Sequence, residues 1–69
     1  MAIQHTKKFG IYHWDTFDNV NLLIDETDNF KTAKEKVEKK YKGRIANNGA
    51  DQVDIVDSTG KVVQSFKVR

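Results

Sequence analysis

The sequence predicts an α+β fold: a two-layer ββαββ domain with a single helix packed on one face of a four-stranded sheet. Three observations predict it. Residues 9–26 and 51–68 each read as two strand-like runs broken by a polar turn. The stretch between them repeats its apolar residues every fourth position, which is helical spacing. No proline interrupts any of these runs.

Phe9 to Phe17 is rich in aromatic and β-branched residues and is expected as the first strand. Asp18-Asn19 is the expected turn, because both residues tolerate left-handed backbone angles. Val20 to Glu26 follows as the second strand, with Val20, Leu22 and Ile24 alternating to one face. The helix has a start and a stop. Thr32-Ala33-Lys34-Glu35 has the form of a capping box. Ala33, Val37 and Tyr41 form an apolar stripe, Lys39, Lys40 and Lys42 supply positive charge to the last turn, and Gly43 suits the left-handed stop. Asn47-Asn48-Gly49 is a loop, and Asp51 to Val56 alternates around Val53 and Ile55. Asp57-Ser58-Thr59-Gly60 is a strong turn, and Lys61 to Val68 completes the second hairpin with Val62, Phe66 and Val68 on one side. A right-handed crossover would place the first and last strands in the centre, parallel to each other, in the β-grasp order 2-1-4-3.

The 69 residues make one domain, 1–69, with 1–8 expected as a flexible N-terminal segment. At this size folding hides only about 60% of the unfolded surface, so the apolar residues must carry the stability. There is no cysteine, and His5 and His13 lack metal-ligand spacing. Neither a cofactor nor a metal is expected. No apolar run approaches the ~20 residues that span a bilayer, so no membrane partner is expected, and the cytoplasm is the expected location.

The net charge of +2 conceals a segregation. Asp15, Asp18, Asp25, Glu26 and Asp28 fall on the first hairpin and just beyond it. Lys34, Lys36, Lys40 and Arg44 lie on or beside the helix and form a candidate basic surface. Phosphate contact through these four is the nucleic-acid reading. Against it, Glu35–Lys39 and Glu38–Lys42 have the i,i+4 order of solvated salt pairs, which would make the helix an ordinary wet face. The acidic hairpin lacks the ligand alternation of a calcium loop. Its carboxylates leave a lesser reading, as a decoy for a DNA-binding partner.

Tyr12, Trp14 and Leu23 form a candidate interaction surface whose exposure depends on register. A two-residue turn sets Trp14 opposite Leu23, away from Val20 and Ile24. A three-residue turn sets it beside Leu22 and Ile24 in the core, and one residue of slip exchanges the faces. The buried arrangement is favoured, because so short a chain needs its largest apolar side chain inside. His13 beside Asp15 resembles a general-base pair, but no nucleophile elbow, GxGxxG or phosphate loop accompanies it. An enzyme is not expected.

At Phe30-Lys-Thr-Ala-Lys-Glu-Lys-Val37 and from Gly49 through Gly60 to Val63, the chain resembles small uncharacterised bacterial and phage domains. The resemblance covers about the last two thirds of the chain and rests on cap and turn residues. It implies the fold type and a mobile-element origin, and it brings no catalytic or binding residues. The functional expectation is a non-enzymatic protein-interaction module, a monomer or weak homodimer with an unidentified protein partner. Nucleic-acid binding through the lysine-rich helix is the alternative.

Overall fold

A computed structural model describes residues 4–69 and shows one helix packed against a four-stranded antiparallel sheet. The strands are β1 (Phe9–Asp15), β2 (Val20–Thr27), β3 (Asp51–Asp57) and β4 (Val62–Val68), and α1 is Phe30–Lys40. Their order is β2-β1-β3-β4, which corrects the β-grasp order 2-1-4-3. β3, not β4, lies beside β1 and runs antiparallel to it. The reason is burial. β3 hides consecutive residues from Val53 to Val56 on both faces, as a central strand must, whereas β4 leaves Val62, Val63, Ser65 and Lys67 exposed. The crossover through α1 therefore passes one intervening strand.

Ile11, Val53, Ile55 and Val68 meet Ala33, Val37 and Tyr41 in the core, with Phe9, Ile24 and Phe66 packed around them. The apolar stripe of α1 thus lies against the sheet as the spacing predicts. The cap sits elsewhere. Asn29, not Thr32, is the N-cap, and its Oδ1 accepts the Thr32 N–H at 3.2 Å. Starting at Phe30 lets that ring pack on Phe9, 5.8 Å between centroids. Gly43 takes the expected left-handed φ, +79°, in the turn two residues past the Tyr41 C-cap. Beyond it, Ile45 bridges to Val68, so the α1–β3 connection covers the end of the outer edge of β4.

The first hairpin turns over four residues, 16–19, with Asp15 opposite Val20 and Trp14 opposite Asn21. The Asp15 carboxylate sets this length by accepting the Phe17 and Asp18 N–H groups, and Asn19 supplies the left-handed residue at φ 54°. An even-numbered turn puts Trp14 on the face away from the helix. It is half-buried there, which corrects the core position beside Leu22 and Ile24. Val20 and Leu22 do share the helix-side face, being opposite Asp15 and His13. A bulge then gives β2 one extra residue opposite the Ile11–Tyr12 step. It lets Ile24 join the core while Asp25 reaches the helix. In β4 a second bulge, opposite the Ile55–Val56 step, moves Val62 to the opposite side from Phe66 and Val68.

Residues 4–8, expected as a flexible arm, are tied across the sheet's second face. Glu26 Oε1 accepts the backbone N–H groups of Thr6 and Lys7, each at 3.0 Å. His5 is buried over Gly10, where any Cβ would meet the imidazole at 2.5 Å. Residues 1–3 of that arm lie outside the described residues.

Candidate functional site

Between α1 and β2 the helix side of the sheet opens into a groove of about 450 Å³. Ile11, Ile24 and Val37 form its apolar floor, and Lys36, Lys39, Lys40 and Asp25 form its rim. The Lys36 ammonium meets the Asp25 carboxylate at 3.0 Å. That contact, followed by the Glu26 backbone N–H, holds the Asp25 carboxyl below its ordinary range. Lys39 and Lys40 carry the remaining positive charge.

The floor continues past the end of the groove. Leu22 is 57% exposed and Val20 40% exposed, both on the helix side of β2, and Phe17 at the turn is 94% exposed. β2 is an edge strand of the sheet, and edge strands are templates for pairing. Three large apolar residues close together along one edge make a strip that water does not favour. Periodicity placed Val20 and Leu22 on the right face. It could not show that α1 stops short of covering them.

The residues predicted as an apolar surface share one face but separate in burial. Tyr12 is 1% exposed, and its hydroxyl accepts the Gln4 N–H and bonds His5 Nδ1 at 2.7 Å. Trp14 and Leu23 remain half-buried on that same face, away from the helix. The basic set separates too. Lys36 pairs with Asp25. Arg44 gives its Nε–H to the Arg69 carbonyl and lies 5.3 Å from the centre of the Tyr41 ring. Lys34 and Lys40 alone of the four point to solvent without such ties. Among the described residues neither Glu35–Lys39 nor Glu38–Lys42 forms an ion pair; Lys36 pairs with Asp25, and His13 meets Asp51 by a hydrogen bond.

His13 finds its carboxylate across the sheet, not at Asp15. Its Nε2 lies 3.0 Å from Asp51 Oδ2 and its Nδ1 2.7 Å from the Tyr41 hydroxyl. A carboxylate can only accept, so Nε2 carries the hydrogen of that bond. Burial pushes the Tyr41 phenol up, which keeps its own proton in place. The His13 hydrogen bond is the main cause that lowers the Asp51 carboxyl, assisted by Thr16. This chain resembles a base–orienter arrangement, but its terminal hydroxyl belongs to a buried residue that does not line the groove between α1 and β2. It clamps the end of α1 to β1 and β3.

Asp54, also buried, accepts from Gln52 Nε2 and Ser65 Oγ at 2.8 and 2.7 Å, so its burial is matched by partners. Among the described residues no group of three His, Asp or Glu is placed to hold a metal ion, and no helix is long and apolar enough to cross a membrane. Comparisons with protein-family models, curated proteins and solved structures gave no match.

Proposed function

We propose that this domain is a protein-interaction module that binds through the helix-side face of β2. The observation that carries the reading is the exposed strip Phe17, Val20 and Leu22 running into the lysine-rimmed groove. An apolar strip along an edge strand offers both side-chain burial and backbone pairing to an extended segment. The diversion of Lys36 and Arg44 into contacts of their own draws charge away from a phosphate-binding helix.

A pull-down from the native host with tagged wild-type and Leu22→Lys baits tests the proposal. Leu22 is exposed and outside the core cluster, so the substitution leaves the fold intact. Proteins recovered by the wild type and lost with Leu22→Lys are the expected result. Identical recovery by both baits would reject this face.

A further inference from the structure

Resting on that reading, we infer that the segment bound at this face is an acidic peptide of a partner protein. Its carboxylates meet the lysine rim of the groove, and its apolar side chains lie along the β2 strip. The groove measures about 450 Å³, within the ~300–1,000 Å³ of ordinary ligand sites. Its rim carries Lys36, Lys39 and Lys40 against Asp25 alone. Lys36 and Asp25 pair at 3.0 Å, and Asp25 also accepts the Glu26 N–H. Lys39 and Lys40 are exposed, and among the described residues neither meets a carboxylate.

Lys36, Lys39 and Lys40 stand at i, i+3 and i+4 on the helix, where like charges repel. The helix dipole favours Lys39 and Lys40 in the last turn, but it gives no reason for an apolar floor beneath them. An acidic partner relieves the repulsion and covers Ile11, Ile24 and Val37 in one step. The charge reverses at the far end of the strip. Asp15 and Asp18 lie on either side of the exposed Phe17 in sequence, and the Asp15 carboxylate is held there by the Phe17 and Asp18 N–H groups. The face is therefore basic at the groove, apolar along Leu22 and Val20, and acidic at the turn. A bound segment places its carboxylates at the groove and none at the turn, so the face selects direction as well as charge. Ile24 to Val20 is four strand steps, about 13 Å at ~3.3 Å each, so the contact segment is short.

Selection of a displayed library of random short peptides on the wild-type domain tests the inference. The selected peptides are expected to carry Asp or Glu beside Leu, Ile or Phe. Fluorescence anisotropy then measures their affinity for variants whose fold is checked by circular dichroism. Lys39→Glu/Lys40→Glu is expected to weaken binding at least about ten-fold. Lys31→Glu/Lys34→Glu changes the net charge equally but away from the groove, and is expected to bind like the wild type. If glutamate at the helix end disturbs the fold, Lys39→Gln/Lys40→Gln removes the same charges without opposing the dipole and is expected to weaken binding several-fold. A library that yields no binder, selected peptides without Asp or Glu, or equal affinity for the two lysine-to-glutamate variants overturns the acidic partner. Leu22→Lys decides the interaction face separately: peptides that lose affinity on it uphold the face whatever their charge, and peptides unmoved by it reject the face.

Discussion

At the scale of residues, two close approaches decide how the chain can cross itself. Gly49 sits against the backbone of Val68, where a Cβ would lie 2.5 Å from the carbonyl carbon and oxygen. A strand backbone cannot turn aside as a side chain can. Gly49→Ala should therefore cost at least about 1–3 kcal/mol, the usual penalty for forcing atoms into a packed site. Urea unfolding checks it, and an unchanged midpoint would mean that the Val68 end of β4 is free to shift. Gly10 carries the other approach, to the His5 ring. Its place as the second residue of β1 is the sequence's one signal of it, because an isolated glycine in a strand marks a bulge or a neighbour passing close. His5 itself gave no local sign. It bonds Tyr12 and, through Nε2, the Asp57 carbonyl, 52 residues away in sequence.

The elements show where local chemistry suffices and where it is outvoted. Asn29 and Thr32 are both acceptable N-caps, and the sequence favoured Thr32 through its pairing with Glu35. Starting at Asn29 instead adds a turn that brings Phe30 onto Phe9. Asn29→Ala should cost about 1 kcal/mol of stability, whereas Thr32→Ala at a position inside the helix should cost only a few tenths. Thermal unfolding of the two variants compares them, and a larger loss from Thr32→Ala would return the cap to the capping box. The hairpins carry the same lesson. The Asp57–Gly60 turn was legible because the Asp57 carboxylate collects Thr59 and Lys61 N–H groups within its own four residues and the next one. The first turn is longer than either the two-residue or the three-residue expectation because Asp15, already in the strand, extends it backward to residue 16.

Across the whole molecule, carboxylates tie the layers and make the fold acid-sensitive. Glu26 is lowered by the Thr6 and Lys7 N–H groups, Asp25 chiefly by Lys36, Asp51 chiefly by His13 and Asp57 chiefly by the Thr59 hydroxyl. A carboxyl held below its unfolded value contributes stability that is complete above that value and lost as pH falls through the folded one. Stability should thus be level above the ordinary values of 3.8 for Asp and 4.5 for Glu and decline below them. Glu26→Gln should flatten part of that decline and selectively speed hydrogen exchange at the Thr6 and Lys7 amides. Unchanged exchange at both amides would show that Glu26 does not hold the N-terminal segment. Tyr41 adds the opposite limb. Its phenol is raised, so its contribution is complete below the unfolded value of 10.0 and lost as pH rises beyond it.

The sequence by itself determined the element types and their order, because strand alternation, the Ala33–Val37–Tyr41 stripe, the left-handed Gly43 and the Asp57 turn are all satisfied within a few residues. It also assigned Val20, Leu22 and Ile24 to one face, since alternation is a property of the strand alone. Only the tertiary structure decided the rest. Which strand stands beside β1, where Trp14 and Tyr12 end up, and which carboxylate His13 meets are contacts between distant segments, and local periodicity carries no information about them. The strip along β2 depends on both. Its pattern is written in the hairpin, but its exposure follows from where α1 ends and which strand the sheet leaves at its edge.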